Sequence, residues 1–233
     1  MIRSAIRAWV AWALGIAALS LFLTACGGDE NGSGASTAAA GTCGPAGSRI
    51  ASISRDNQRS FESPPAMIID SSKSYEALIK TNKGDITIDL KAADAPVTVN
   101  NFIFLACTGY YDGLIFHRVE LLPAPFVVQG GDPRGDGSGG PGYSVVEAPP
   151  KDLLYEKGVV AMAKTGTEPA GTSGSQFFVV TAEDAQLPPD YALLGKVTAG
   201  QEVVDKIGVV EIDPATEQPV EPVVIRSVEV SER

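Results

Sequence analysis

The sequence predicts a mainly β fold, a closed antiparallel barrel accompanied by two helices. The 233 residues include 25 glycines and 16 prolines, which is typical of a chain with many turns. Short apolar runs bounded by turn residues recur between residues 75 and 230, as expected for strands. Two segments show the 3.6-residue period of an amphipathic helix, so most strands must pair with one another.

The N-terminal part is expected to lie outside this fold. Residues 1–25 combine a basic start with an apolar stretch too short to span a membrane, and are interpreted as a signal peptide. The segment LTAC, which ends at Cys26, resembles the lipobox of bacterial lipoproteins; the alternative is an ordinary signal peptide with a chance cysteine. The resemblance implies cleavage before Cys26 and acylation of its sulfur, and hence a lipid anchor at the extracytoplasmic face of the cell membrane. Residues 26–66 are expected to be the lipidated cysteine and a flexible tether.

Two further cysteines, Cys43 and Cys107, allow two interpretations. Outside the cytoplasm a pair of thiols tends to oxidise, so the two residues could form a disulfide. Alternatively, Cys107 is a free thiol packed at a helix end, and Cys43 lies in the linker. The sequence does not decide between them.

The folded domain is predicted to span residues 67–233 and to begin with a hairpin. In this hairpin YEALIKT and ITIDL flank NKGD, and Ile86, Ile88 and Leu90 alternate with polar residues. The next segment changes period, and a helix is predicted that ends near Gly109. Its apolar stripe comprises Val99, Phe102, Ile103 and Ala106. Further strands are predicted at LIFHRV, PFVVQGG, YSVVE, GVVAMA, SQFFVVT, ALLGKV and VVIRSVEV, with a second helix at AGQEVVDKIG.

Composition excludes several functional classes. The net charge of −10 leaves no basic surface for a nucleic acid. The glycines of GDGSGG precede a strand, whereas a dinucleotide fingerprint requires a helix at that point. One histidine, His117, and two non-lipidated cysteines make a zinc site improbable. We therefore expect neither a metal nor any other cofactor.

Period-two alternation indicates what the functional site contains. It predicts three pairs of side chains on common strand faces: Phe116 with Arg118, Val127 with Gln129, and Gln176 with Phe178. His117 then points away from Arg118 and is interpreted as structural. Converging faces would form an apolar pocket whose rim carries one guanidinium and two amides. Such a site can bind an uncharged ring and hydrogen-bond a backbone, which is sufficient to twist an X–Pro amide but not to hydrolyse one.

Several motifs resemble those of cyclophilin-type peptidyl-prolyl isomerases. They run in family order from about Tyr75 to Val230: APVTVNNFIFL, YYDGLIFHRV, FVVQGGDP, GPGY, GVVAMA, GTSGSQFFVVT and LLGKV. The resemblance implies an eight-stranded closed antiparallel barrel capped by two helices, with Arg118 as the catalytic residue. It also implies a set of substrate-binding residues: Phe126, Val127, Phe178 and Leu187 in the proline pocket, Gln129 and Gln176 at the polar rim, Ala163 and Lys164 beside the substrate backbone, and Tyr191 where many members carry His.

The function implied by this resemblance is isomerisation of X–Pro bonds in exported proteins at the membrane surface. The expected partners are proline-containing polypeptides and the membrane, and the chain is expected to be a monomer. One departure keeps an alternative open, because ELLPAP between Arg118 and Phe126 is longer than the usual link. The alternative is a tethered module that binds proline peptides, or a chaperone, with little turnover.

Overall fold

A computed structural model describes residues 43, 50, 53–121 and 123–233. The predicted signal peptide, the lipidation site Cys26 and much of the predicted tether lie outside the described residues.

Eight strands form the main sheet of the described chain. Their bounds are β1 Tyr75–Thr81, β2 Asp85–Leu90, β3 Phe116–Glu120, β4 Val127–Gly130, β6 Val159–Met162, β8 Phe177–Val180, β9 Leu193–Ala199 and β12 Ile225–Glu232. Two short pairs accompany it, β5 Val145–Val146 with β7 Thr172–Ser173 and β10 Ile212–Asp213 with β11 Gln218–Pro219. The helices are α1 Pro96–Cys107 and α2 Gln201–Ile207.

The main sheet is antiparallel and strongly curled, in the order β12-β1-β2-β9-β6-β8-β4-β3. Its two edges are joined by isolated backbone hydrogen bonds: Ile225 N–H donates to Leu114 O over 2.8 Å, and Phe116 N–H donates to Val223 O over 2.9 Å. The predicted eight-stranded β fold with two helices is therefore confirmed. The word "closed" overstates it, since no continuous ladder joins β3 to β12.

Apolar periodicity in the sequence corresponds closely to the observed core. Ile86 and Ile88 are fully buried in β2, as the predicted alternation requires. All four residues of the predicted stripe on α1 are buried as well. Pro96 occupies the first turn of α1, where its missing N–H costs nothing, and Gly109 follows the helix with a φ of 76°.

The segment before β1 packs against the folded domain. Arg55 forms an ion pair with Asp112 at 2.6 Å, and its Nη1 donates to the carbonyl oxygens of Ala106 and Val228. The Phe61 ring lies edge-on to Phe104, with ring centroids 5.1 Å apart. The prediction that residues 53–66 belong to a flexible tether is therefore corrected, because these contacts hold them on the domain and move its boundary toward the N-terminus.

Cys43 and Cys107 form a disulfide. Cys107 is the last residue of α1, and Cys43 pairs with Val230 through a β-bridge. The structure thus supports the first of the two interpretations left open above.

Candidate active site

The candidate site lies on the face of β3, β4 and β8 that points away from the core. Gln129 lies opposite Arg118 across β3 and β4, and opposite Phe178 across β4 and β8. Neighbouring residues in the same strands, such as Val128 and Phe177, are fully buried in the core. The predicted sharing of faces by Val127 with Gln129, and by Gln176 with Phe178, is borne out.

A β-bulge in β3 changes the predicted direction of two side chains. Phe116 pairs with Gly130 and Arg118 pairs with Gln129, so His117 is an extra residue with no counterpart in β4. As a result, Phe116 is fully buried in the core, whereas Arg118 and His117 both line the groove. The prediction that Phe116 and Arg118 share a face was wrong, because strict period-two alternation fails at a bulge.

Aromatic and aliphatic side chains form the apolar side of a groove of about 430 Å³. Phe126, Val127 and Phe178 line it, and the Tyr191 ring packs edge-on against Phe178 with centroids 5.4 Å apart. Leu187 is half-buried against the same cluster. The structure therefore brings the predicted proline-pocket residues together.

The lengthened link between β3 and β4 leaves the strand pairing intact. Phe126 N–H donates to Glu120 O over 2.9 Å, which closes the link at its base. Glu120 then lies opposite Val127, and Arg118 stays opposite Gln129. The pairing of β3 with β4 therefore continues up to Glu120 and Val127, on the two sides of the link.

Two amides form the polar rim. Gln129 Nε2 donates to Gln176 Oε1 over 2.8 Å, and Gln176 Nε2 donates to the carbonyl oxygens of Gly137 and Gly139. Gln176 lines a second groove of about 600 Å³, which shares Gln129, Ala163 and Lys164 with the first. The rim amides are thus fixed by one another and by the glycine-rich loop, GDGSGG at residues 135–140.

The segment after β6 lines the groove with Ala163 and Lys164. Ala163 N–H donates to Gln176 O over 2.9 Å, and Ala163 lines both grooves. The Lys164 ammonium lies 2.7 Å from Asp190 Oδ2 and above the Tyr191 ring, and its side chain is only 4% exposed. Lys164 lines both grooves, so its predicted place beside the substrate backbone stays a prediction.

Arg118 is held by two carboxylates that sequence reasoning missed. Its Nε donates to Glu217 Oε2 over 2.6 Å, and its Nη2 lies 3.0 Å from Glu120 Oε2. Glu120 could have been found, since it lies two residues beyond Arg118 on the same strand face. Nothing in the sequence pointed to Glu217, which lies in the unpredicted hairpin of β10 and β11.

His117 is buried beside Arg118 and is 3% exposed. Burial lowers its pKa from the ordinary value, and the Asp132 carboxylate offsets part of this effect. Neither ring nitrogen has a hydrogen-bond partner of normal geometry among the described residues, although Gln176 lies near. A neutral, buried ring of this kind is consistent with a structural residue.

The described residues contain no group of three or more His, Cys, Asp and Glu side chains placed to hold a metal ion. They also contain no helix long and apolar enough to cross a membrane.

The fold and the site together define a class: a curled β-sheet protein with an apolar groove, an arginine at its rim and amides for a peptide backbone. Comparisons with known proteins agree. The family described as cyclophilin type peptidyl-prolyl cis-trans isomerase/CLD matches residues 77–230. The chain belongs to this family and is a peptidyl-prolyl cis–trans isomerase.

Similar proteins include bacterial and eukaryotic members. Peptidyl-prolyl cis-trans isomerase B of Streptomyces anulatus is 41% identical over 175 residues, which cover 67% of this chain and 97% of the relative. A Helicobacter pylori peptidyl-prolyl cis-trans isomerase is 43% identical over 138 residues, covering 58% of this chain and 81% of the relative. A solved cyclophilin type isomerase of Cryptosporidium parvum, in the presence of the dipeptide Ala-Pro, has a TM-score of 0.61 at 31% identity, over 66% of this chain and 98% of that one.

Proposed function

We propose that this chain accelerates isomerisation of X–Pro bonds in exported polypeptides while a lipid on Cys26 anchors it to the extracytoplasmic face of the cell membrane. The observation that carries the catalytic part is the position of Arg118 at the rim of the apolar groove. Phe126, Val127 and Phe178 supply a surface for a proline ring beside this guanidinium.

Rotation about an X–Pro amide bond can be catalysed by a hydrogen-bond donor and needs no acid–base pair. Resonance gives the planar amide a rotation barrier of about 18–20 kcal/mol, and an X–Pro bond isomerises in tens of seconds without a catalyst. In the twisted transition state the prolyl nitrogen regains its lone pair and becomes a better acceptor. A donor from Arg118 then binds the twisted form more strongly than the planar form, which lowers the barrier.

The energetic demand is within reach of these groups. Shortening tens of seconds to milliseconds requires roughly a 10⁴-fold gain, or about 5.5 kcal/mol. A charge-assisted hydrogen bond contributes about 1.5–3 kcal/mol. Burial of the proline ring and backbone pairing with the Ala163 carbonyl would supply orientation for the remainder.

Two features support the extracytoplasmic location. The lipobox-like LTAC ends at Cys26, directly after an apolar stretch with a basic start. The disulfide between Cys43 and Cys107 is typical of oxidising compartments.

Protease-coupled isomerisation of a proline peptide by the purified full-length chain tests the catalytic part. We expect Arg118→Ala to lower kcat/KM about ten- to hundredfold, as the loss of a charge-assisted hydrogen bond requires, while peptide affinity changes only modestly. Arg118→Lys should recover little because lysine lacks the guanidinium fork. Arg226→Ala is the matched control, since Arg226 is exposed on β12 and lies outside the groove. A folded wild-type protein that binds the peptide without accelerating it would identify a binding module instead.

Metabolic labelling with radioactive palmitate tests the anchor. The wild-type chain should carry label and sediment with membranes, whereas Cys26→Ser should carry none and remain in the soluble extracytoplasmic fraction. Unlabelled wild-type protein in that soluble fraction would contradict the anchor without affecting the catalytic proposal.

A further inference from the structure

The Arg118 guanidinium is engaged from two sides. Nε donates to Glu217 Oε2, and Nη2 faces Glu120 Oε2. Nη1 makes no hydrogen bond within the described part of the chain, since the only one from this side chain is donated by Nε. The two carboxylates therefore restrict the side chain while leaving one nitrogen available to a bound peptide.

The hairpin of β10 and β11, which carries Glu217, is hydrogen-bonded to the strand and loop beside Arg118. Glu217 N–H donates to Asp213 O over 2.8 Å within the hairpin, and Glu217 O accepts from Val119 N–H of β3, also over 2.8 Å. Gln218 Nε2 donates to Gly135 O of the glycine-rich loop over 3.0 Å. These contacts fix the hairpin against β3 at the level of Arg118.

The backbone of Glu217 is itself unusual. Its φ of 59° lies in the left-handed region, which residues with a Cβ rarely adopt. Such conformations persist where the surrounding structure holds them and are concentrated at functional sites. The hairpin thus tolerates an unfavourable backbone conformation at the residue whose carboxylate reaches the arginine.

We propose that Glu217, assisted by Glu120, is a positioning residue that fixes the Arg118 guanidinium with Nη1 directed to the substrate. This inference rests on the proposed role of Arg118 in isomerisation. A long, partly exposed arginine samples many rotamers, and a donor placed in advance does not have to reorganise in the transition state. Both side chains of the pair are 40% exposed, so the pair should contribute little to folding stability. Its effect should therefore appear in kcat.

The test compares Glu217→Ala, Glu217→Gln and Glu217→Asn in the full-length chain. We expect Glu217→Ala to lower kcat roughly tenfold and to change KM less than about twofold. Without Glu217 the Arg118 guanidinium is only partly misplaced, so kcat loses part of the factor that complete misplacement of the donor would cost. Glu217→Gln should recover most of the loss, since its Oε1 can still accept from Nε. Asparagine tolerates the left-handed backbone at this position, so Glu217→Asn should keep the hairpin intact even if Glu217→Ala disturbs it. Its side chain is one methylene too short to reach Arg118, so its kcat should be as low as that of Glu217→Ala.

Glu221→Ala is the matched control, because Glu221 is 86% exposed and pairs with Lys83 rather than with Arg118. Its kcat should equal that of the wild type. The Nε–H resonance of Arg118 in NMR spectra supplies a readout that a merely structural role would not move. It should exchange slowly in the wild type and in Glu217→Gln, and rapidly in Glu217→Ala and Glu217→Asn.

The possible failures are distinguishable. An unchanged kcat in folded Glu217→Ala and Glu217→Asn would reduce the contact to a surface ion pair. A raised kcat would mean that Glu217 competes with the substrate, and either result overturns this inference while leaving Arg118 catalytic. Full activity of Arg118→Ala, or an inactive wild type, would overturn the proposed function itself.

Discussion

Arg118 and Glu217 are 99 positions apart in the sequence, yet Arg118 Nε donates to Glu217 Oε2 over 2.6 Å. Gln129, directly opposite Arg118 on β4, is bonded instead to Gln176. The electrostatic environment of the arginine is therefore set by the hairpin after α2 and by Glu120, more than by the strand beside it. This arrangement makes the hairpin of β10 and β11 part of the candidate site, whose groove Thr216 and Gln218 also line.

Two adjacent phenylalanines of β8 lie on opposite faces of the strand. Phe178 lines the groove, whereas Phe177 packs in the core against the rings of Phe102, Tyr111 and Phe116. We expect Phe178→Leu to lower kcat/KM about tenfold through loss of contact with the proline ring. Phe177→Leu should instead cost about 1–2 kcal/mol of unfolding free energy, with kcat/KM retained. Urea unfolding and the peptide assay together check both, and equal losses of activity in the two variants would contradict this division.

The Cys43–Cys107 disulfide is expected to stabilise the domain considerably. It links residues 64 positions apart, and the chain-entropy relation gives an upper value of about 4 kcal/mol for such a loop. The double variant Cys43→Ala/Cys107→Ala, or treatment with dithiothreitol, should lower the urea midpoint accordingly. Two alkylatable thiols in the native oxidised protein would show that the bond does not form.

Arg55 should be the main anchor of the segment that precedes β1. Its guanidinium makes charged contacts with Asp112 and donates to two backbone oxygens, and its side chain is 14% exposed. Arg55→Ala should lower the unfolding free energy by about 1.5–3 kcal/mol, because partly buried acceptors lose a charged donor. The exposed Arg226→Ala should change it by less than about 0.5 kcal/mol. Similar midpoints for both variants in chemical denaturation would mean that the segment is not anchored in this way.

The single histidine should make folding stability depend on pH. Burial lowers the pKa of His117, while Asp132 and Asp136 raise it and Arg118 lowers it further. The folded state therefore binds fewer protons than the unfolded state below the ordinary pKa of about 6.5. The corresponding stability is present in full above about pH 6.5 and is lost as the pH falls from there to the lowered pKa.

Thermal unfolding between pH 5 and pH 7.5 measures this dependence. His117→Asn should show a flatter profile over the acidic half of that range, because asparagine does not titrate. The remaining slope reports the carboxylates, which are shared by both proteins. Parallel profiles for wild type and variant would contradict a lowered pKa of His117.

The sequence alone determined the architecture and most of the groove. Strands and helices were predictable because burial imposes a period of two or 3.6 on apolar residues, as in β2 and α1. The shared face of Val127 and Gln129 follows from the same rule within a regular strand. Family motifs added the arginine, the amides and the aromatic residues, which the structure brings to one groove.

Tertiary structure decided what local pattern could not express. The bulge at His117 turns Phe116 into the core and Arg118 into the groove, and a bulge has no periodic signature. The Cys43–Cys107 pairing and the carboxylate of Glu217 on Arg118 join positions 64 and 99 residues apart. Such contacts depend on how completed elements dock, and a single sequence records periodicity along the chain but not distance across it.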